Sequence, residues 1–564
     1  MKRTNTQSFP VIAFIGVVIL ILLTHITYLY NGFTWVDHGD IETGKAIVLL
    51  NRLPAAFFSR LGDSSVYRPM VTLVHAIDAK LFGLWAPGYH ATNVLLHIAA
   101  AIAAPLFISS FIQLSAIEGI LVMLIAGIHP AGWAAVGAVA LRQELLVGLF
   151  MSLAVYLHAK ARRSGQKPAM ILSAVSLLLA LWSKETALFL IPLYITMFEL
   201  TNRGKKGADS LKNRSLLAVE GVIMVAYVLL RMYAVPEIWA FNHPNIGIAS
   251  AVGMRLSAVA AQTLSLLAPV RPGLSDAVPV SAVGILPLLG LIIIAAGGFT
   301  IAKKGLKNAW SMAILLTGIS LLPVLNFIAQ ARFNSPLYSY IALPGAAALL
   351  VLAVRSLVAT KTSRIAKIIL AVWIAVGSLS TIAGGLAFQS DITLFSPQLK
   401  RDSHFREARY YLGNTMWNSG QFAAAQEQYE AAIMQDKNYL SYVDMGSILI
   451  NYAGVLMQQN KLNEAAQVLT VAQKYLTTSN KPVIVYNLAI IAAKQGDYHK
   501  VAVLLGENNI QWQRPEPLLL LANALSLQNR RGDEIAALKK MLPLVGAGVR
   551  EKIEKLIEAE STRK

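Results

Sequence analysis

The 564-residue chain contains no cysteine, which removes disulfide frameworks and thiolate metal sites from consideration. It is also poor in charge: Asp, Glu, Lys and Arg together make up 14% of residues, against 55% hydrophobic. A mean hydropathy of +0.55 lies outside the ordinary soluble range and points to several segments in a bilayer. Acidic residues are the scarcer sign, 30 against 49 Lys plus Arg, for a net charge of +19. The basic excess collects in loops between apolar runs, so it reads as a topology signal and not as a nucleic-acid footprint.

Long apolar runs fill the chain up to residue 388, and a polar, helical pattern begins at residue 405. Between them, "AFQSDITLFSPQLKRDSHF" loses apolar character and gains charge and a proline. The expected division is a transmembrane domain over 1–388, a linker over 389–404 and a repeat domain over 405–564. The expected fold class is all-α: a polytopic membrane helix bundle followed by an α-solenoid. At roughly 20 residues per crossing, the apolar runs supply about eleven spans. The first, Phe9 to Tyr30 behind Met-Lys-Arg, is too long for a signal-peptide core and reads as a retained anchor. The segment Ser250 to Pro269 is weaker and reads equally as a crossing or an in-plane helix.

Four basic clusters orient the spans: Lys160, Arg162, Arg163 and Lys167; Arg203, Lys205, Lys206, Lys212 and Arg214; Lys303, Lys304 and Lys307; Arg355, Lys361, Arg364 and Lys367. The positive-inside rule puts them in the cytoplasm with the N-terminus. An odd span count then carries the C-terminal domain to the outer, periplasmic side of an inner membrane.

Residues 405 to 545 repeat small and aromatic residues at about the 34-residue tetratricopeptide period. Gly413, Ala425, Tyr429 and Ala432 mark the clearest copy; Ala453, Ala465, Leu469 and Ala472 mark a second. "NLAIIAAKQGDYHKVAVLL" is a weaker third, and Ala524 with Ala536 marks a fourth. Small residues let paired helices approach closely, and the stacked pairs form a concave surface for a peptide or protein.

Five polar clusters interrupt the apolar part, and the topology assigns all of them to the outer face. "FTWVDHGDIETG" carries Asp37, His38, Asp40 and Glu42. "YRPMVTLVHAIDAKLFGLWAPGYHATNVLLH" carries Tyr67, Arg68, His75, Asp78, His90, Asn93 and His97. "HPAGWAAVGAVALRQELL" carries His129, Arg142 and Glu144. "LWSKETA" carries Lys184 and Glu185, and "LNFIAQARFNSPLYSY" carries Asn326, Arg332, Tyr338 and Tyr340. An ionisable group at membrane depth costs about 2.5 kcal/mol or more. Grouping so many on one face implies a wet cavity.

The order of these motifs, "YRP…H-x-x-N-x-x-x-H", "HP…R-x-E-L-L", "SKE" and "LLPVLN…LY", followed by the repeat tail, resembles the TMTC-like glycosyltransferases. Those are polytopic enzymes of the GT-C superfamily, related to protein O-mannosyltransferases, and the resemblance covers nearly the whole chain. It implies a polyprenyl-phosphate-linked sugar as donor. It also implies an acidic base in the first outer loop, matching Asp37, and a second acidic residue, matching Glu144. One departure stands out: where relatives commonly read "HP-x-H-T-E-A-V", this chain reads "HPAGWAAV", with Gly132 and Ala134 in place of His and Glu.

The implied chemistry needs a base near the acceptor hydroxyl and cations for a phosphate leaving group. A carboxylate can supply the first. Arg68, Arg142, Lys184, Arg231 and Arg332 are candidates for the second. Asp40, Tyr67, His90, Asn93, Glu185 and Tyr338 complete the expected substrate-binding set. His90, Asn93 and His97 lie on one helical face and read either as interhelical hydrogen-bonding groups or as a divalent metal site. Lys184 and Glu185 read equally as turn charges, and Tyr338 as an interfacial anchor. The expected partners are the lipid-linked donor, the bilayer and an exported protein or peptide presented by the repeats. Transfer to a lipid or surface glycan and a non-catalytic repeat scaffold stay open.

Overall fold

The computed structural model describes residues 11–42, 57–59, 66–202, 211–235, 246–327, 330–358, 363–434, 436–477, 480–506 and 510–562. Of the orienting cations, Arg203, Lys205, Lys206 and Lys361 lie outside the described residues. Two compact units are present: residues 1–405 with 436–442, and residues 406–435 with 443–564.

The first unit is an apolar helix bundle. Its helices run α1 Val11–Thr24, α2 Pro69–Phe82, α3 Ala86–Ser109, α4 Ala116–Ile128, α5 Trp133–Gly137, α6 Gln143–Ser164 and α7 Lys167–Ser183. They continue with α8 Ala187–Asn202, α9 Leu211–Ala234, α10 Ile248–Leu267, α11 Ile285–Lys304, α12 Ala309–Ser320, α13 Leu343–Val358, α14 Ser363–Ala387 and α15 Asp391–Arg401. Among the described residues, seven segments are long and apolar enough to cross a membrane. Counting the pair Ala116–Ile128 and Pro130–Gly137, bent by 44°, as one more gives eight. Lys167–Ser183, Ala187–Asn202 and Ala309–Ser320 are shorter apolar helices, and Ile248–Leu267, over the weak expected span, is in neither group. The number and apolarity of these helices make the chain a multi-pass membrane protein. The weak segment at Ser250 to Pro269 forms α10, which pairs with α11. Close approach there depends on glycine, since a Cβ on Gly290 would collide with the Leu256 carbonyl.

Local chemistry starts and stops these helices. Ser115 and Glu118 form a reciprocal capping box at α4. The break after α4 comes at His129-Pro130, where the ring removes a backbone donor. Residues 389–404 correct an expectation. They are no linker: Ser390 and Thr393 cap α15, and Leu394 and Phe395 are buried in the first unit. Pro397, Lys400 and Arg401 lie on the exposed side, while Leu394, Phe395, Asp391 and Gln398 form the buried face. Residues 436–442 also belong to this unit, through an antiparallel bridge that pairs β1 (Val278–Pro279) with β2 (Tyr439–Leu440).

The second unit is an α-solenoid of four helix pairs and a final helix. The pairs are α16 Arg406–Asn418 with α17 Phe422–Ile433, α18 Met445–Gln458 with α19 Leu462–Ala472, α20 Asn480–Lys494 with α21 Tyr498–Gly506, and α22 Glu516–Leu527 with α23 Arg531–Met541. Helix α24, Ala547–Thr562, follows. Each pair turns on one residue with positive φ: Gly420, Asn460, Gly496 and Asn529. Glycine and asparagine are the residues that enter this left-handed region most readily. Ala425, Tyr429, Ala432, Ala453, Ala465, Leu469 and Ala472 are fully buried, as the repeat pattern requires. In the fourth pair the register differs by one: Ala536 is exposed and Ala537 is the buried residue.

Gly413 faces the Tyr429 ring, where a Cβ would overlap ring carbons. The ring cannot swing aside freely, because its hydroxyl donates to Asn414 Oδ1 at 2.6 Å. Gly413→Ala should therefore destabilise the first pair by about 1–3 kcal/mol. Thermal circular dichroism of the purified protein would measure the lower midpoint of the repeat transition; an unchanged midpoint would show that the seam has room.

Candidate active site

Asp37 follows the first span in an irregular turn and is fully buried. Its Oδ1 accepts the Ala140 N–H at 2.7 Å, and its Oδ2 lies 3.5 Å from the Thr34 N–H. Burial pushes its carboxyl up to about 7, opposed by the backbone amides of Ala140, Val139 and Thr34 and by nearby His38. At 3.5 Å the Thr34 contact is weak, so Oδ2 keeps accepting capacity for an incoming hydroxyl.

The turn is strained. Trp35 adopts φ of 58°, a region that bulky residues rarely enter and that costs on the order of 1–3 kcal/mol. Asp391 holds it there: its Oδ1 accepts the Trp35 N–H at 2.8 Å, and its Oδ2 bonds His38 Nε2 at 3.1 Å. That bond to Asp391 is the main reason His38 is pushed up to about 9, with the Glu42 contact at 2.5 Å adding to it against burial. Asp40 is exposed on the same turn.

Behind Asp37, the segment 136–142 is fixed from helices α2 and α3. Asn93 donates to the carbonyls of Val136 and Ala138 at 3.1 and 3.3 Å. His75 bonds the Val139 carbonyl at 3.4 Å, and His90 bonds Gly32 O at 3.0 Å. His97 bridges Tyr340 Oη and the Gly127 carbonyl, both at 2.8 Å. His90 and Asn93, expected as substrate contacts, are fully buried: His90 Nε2 and Asn93 Nδ2 bond backbone carbonyls, while His90 Nδ1 and Asn93 Oδ1 have no hydrogen-bond partner among the described residues. They position the Asp37 turn. Among the described residues no group of three His, Asp or Glu side chains is arranged to hold a metal ion.

The expected phosphate cations are mostly occupied. Arg142 Nη1 donates to Asp78 Oδ2 at 2.6 Å, with both groups buried; Thr92 donates to the other oxygen of Asp78. Lys184 is buried in an ion pair with Glu144 and lies 4.9 Å over the Tyr338 ring. Arg68 places Nε and Nη2 on Glu185 Oε2 at 3.1 and 3.0 Å, while Glu185 Oε1 accepts the Tyr67 N–H. Arg68 is also within electrostatic range of Glu144, so these pairs adjoin. Arg231 is half-buried at the end of α9, within range of Tyr227, whose ring meets Tyr67 at 5.9 Å. Arg332 lies 5.0 Å over Trp35 and 5.4 Å over Tyr442, and Tyr338 senses its charge. The structure thus brings Tyr67, Arg68, Lys184, Glu185, Glu144, Tyr338 and Arg332 into one continuous belt. Glu144 Oε2 is buried in it without a hydrogen-bond partner among the described residues. Arg142 belongs to the Asp37 neighbourhood instead.

Two acids that hold these segments, Asp78 and Asp391, were not among the expected site residues. An unpaired Arg142 and an acid one motif away, both in apolar sequence, were a usable signal for Asp78. Asp391 gave none beyond its capping box. At the departure from the resembling family, Ala134 is 1% exposed and Trp133 packs on Phe388 at 5.4 Å, so the position is core.

No family model matches the chain. Over 204 residues it is 28% identical to protein O-mannosyl-transferase F38B6.6 of Caenorhabditis elegans. This chain is similar to a protein O-mannosyl-transferase. The alignment takes in 33% of this chain and 28% of that protein, so the chain matches under a third of its relative's length. Among solved structures, ArnT from Cupriavidus metallidurans bound to undecaprenyl phosphate aligns with a TM-score of 0.40 and 13% identity, over 88% of this chain and 79% of that one. Yeast Tom70 aligns with a TM-score of 0.20 and 10% identity, over 79% and 92%.

The Lys184–Glu144 pair sets a stability test. Lys184→Met should strand a buried carboxylate and cost about 3–5 kcal/mol, and adding Glu144→Gln should recover most of it. Thermal unfolding in detergent of the two single variants and the double variant measures the coupling; additive losses would mean that the pair is not the stabilising unit.

Proposed function

We propose that the chain is a membrane glycosyltransferase that moves a sugar from a polyprenyl-phosphate donor to a Ser or Thr hydroxyl of an exported polypeptide. One observation carries the reading: a strained outer turn holds a buried carboxylate, Asp37, with a proton affinity near neutrality and backbone amides, not a cation, on its oxygens. The similarity to a protein O-mannosyl-transferase supports the reaction class. The belt of paired charges beside it would meet the leaving phosphate.

In this mechanism Asp37 takes the acceptor hydroxyl proton while that oxygen attacks the anomeric carbon of the sugar. The carbon–oxygen bond to the phosphate breaks, and the polyprenyl phosphate leaves with its electron pair. One attack at the anomeric carbon inverts its configuration. Glu144, with its unpartnered Oε2, is assigned to orient the acceptor or sugar hydroxyls, and Arg332 and Tyr338 to line the same mouth. In this reading the N-terminus lies in the cytoplasm and the repeats lie on the outer side of an inner membrane, where they would collect the acceptor.

Asp37→Asn should lower transfer by about 10²–10⁴-fold, the usual contribution of a general base. Glycoproteomics of envelope proteins from cells carrying wild type, a deletion or Asp37→Asn would read it, with a defined set of Ser/Thr glycopeptides lost in both altered strains. Retention of those glycopeptides in the Asp37→Asn strain would remove Asp37 as the base. Loss in neither would leave the scaffold reading ahead.

The pH dependence follows from the raised carboxyl. The base form of Asp37 exists above about 7, so transfer should climb tenfold per unit up to that pH and level off beyond it. The sign for stability is opposite. The raised folded-state value favours the neutral form, so this contribution is complete below the ordinary carboxyl range and is lost as pH rises through about 7. Asp37→Asn should therefore raise the melting temperature more at pH 8 than at pH 5. A melting difference independent of pH would contradict the raised value.

A further inference from the structure

Two cavities of the first unit adjoin along helix α10. The first, of about 360 Å³, is lined mainly by apolar groups such as Val252, Met254, Val324 and Phe333. The second, of about 700 Å³, is lined by Gln262, Ser265, Arg271, Arg401, His404 and Tyr439, among others. Asn334 borders both. Arg255, Ala258, Gln262 and Ser265 follow one another at i, i+3, i+7 and i+10, so a single face of α10 runs along the two cavities.

Three polar atoms on that face have no hydrogen-bond partner among the described residues: Arg255 Nε, Gln262 Oε1 and Ser265 Oγ. Gln262 is only 3% exposed, and its Nε2 is fixed by the carbonyl and side-chain oxygens of Asn334 at 3.1 and 3.0 Å. The amide cannot simply turn away, so Oε1 stays presented as an acceptor. A buried acceptor left empty costs about 1–3 kcal/mol, and a ligand N–H or O–H would remove that cost.

The charge of the larger cavity is one-sided. Arg271 stacks 4.3 Å over Trp133 and donates to the Ala383 carbonyl. Arg401 is exposed at the end of α15 and acts repulsively on Arg271. Among the described residues neither arginine has a carboxylate partner. The one acid of the lining, Asp402, is already used: Oδ2 accepts the Ser275 hydroxyl at 2.5 Å and Oδ1 accepts the His404 N–H at 3.0 Å. The His404 ring lies flat on Tyr439 at 3.6 Å, and its nitrogens face Asp402 and Asp436. What remains is a cationic pair above an amide acceptor and an aromatic wall. The candidate phosphate cations Arg68, Arg142 and Lys184, by contrast, are each neutralised by a carboxylate.

We propose that the 700 Å³ cavity is an acceptor subsite for an acidic polypeptide segment, whose carboxylate pairs with Arg271 and Arg401 and whose backbone N–H meets Gln262 Oε1. This deepens the proposed function, on which it rests, by giving the acceptor a charge. A lipid chain suits the apolar neighbour across Asn334, which leaves the polar chamber to the other substrate. The chain passes from the Arg401–His404 wall directly into the helical repeats, an architecture that commonly binds peptides.

The test is fluorescence anisotropy with full-length protein in nanodiscs and fluorescein-labelled Thr peptides flanked by Glu, Gln or Lys. The Glu-flanked peptide should bind roughly tenfold tighter than the Gln-flanked one, and high salt should shrink the difference. Arg401→Glu, at an exposed position outside the catalytic belt, should abolish that preference and favour the Lys-flanked peptide. Gln262→Leu should weaken the Glu- and Gln-flanked peptides alike. Equal binding of the Glu- and Gln-flanked peptides, or a preference that survives Arg401→Glu, would overturn the proposal. So would polyprenyl phosphate added to the nanodiscs if it displaced the peptide and lost affinity in Arg401→Glu, because the cavity would then belong to the lipid phosphate. Binding requires no turnover, so failure here leaves the Asp37-dependent transfer test standing, and failure of that test leaves a peptide preference still measurable.

Discussion

Burying carboxylates is the constraint on which this end of the bundle depends. An isolated buried charge is far more expensive than a paired one; Asp37, Asp78 and Glu144 sit here almost without exposure, and Glu185 is partly buried beside them. Three are matched by cations drawn from other segments: Asp78 by Arg142, Glu144 by Lys184, and Glu185 by Arg68. Each pairing ties together parts of the chain far apart in sequence. A buried ion pair is weak evidence for net stability, but it penalises every arrangement that separates the partners. The pairs therefore fix the relative placement of α2, α6 and the turn between α7 and α8 more firmly than apolar packing alone would.

Much of this was legible, and the limits have physical causes. Membrane helices announce themselves by composition, because every backbone polar group must be satisfied within the segment. The solenoid announces itself by small residues at its seams. Its turns were equally readable in retrospect, through Gly420, Asn460, Gly496 and Asn529 at the same point of each helix pair. The apparent linker misled because α15 is short and amphipathic: its polar face dominates the sequence while Leu394 and Phe395 carry the packing. The same limit hid the partners of the charges. Sequence shows that Arg142, Lys184 and Arg68 must be compensated, but which acid compensates which is set by how helices cross. The nearest acid in sequence was the wrong guide for Arg142, whose partner is Asp78 and not Glu144, and for Lys184, whose partner is Glu144 and not the adjacent Glu185.

Asp37 differs from the three paired acids in a way that bears on function. A cation beside a carboxylate stabilises the ionised form and makes it a poor base. Backbone amides do so less strongly, and burial works against them. Asp37 has the amides and the burial; His38 and Arg142 act on it electrostatically, but among the described residues no cation bonds its oxygens, so its two protonation states stay close in free energy near neutral pH. Such a group can accept a proton and release it again without a large penalty at either step.

That balance is maintained from a distance. Asn93 and His75 hold the carbonyls flanking Ala140, which fixes the amide that binds Oδ1. Asp391 holds Trp35 in its left-handed conformation, which sets the direction in which the chain reaches Asp37 two residues later. A purely structural turn would gain from relaxing Trp35 and placing Asp37 in solvent, where the carboxylate is cheapest. The chain instead spends a helix cap, a strained tryptophan and three interhelical hydrogen bonds to keep this acid buried and unpaired. Those features make sense together if a proton has to be taken up at this position.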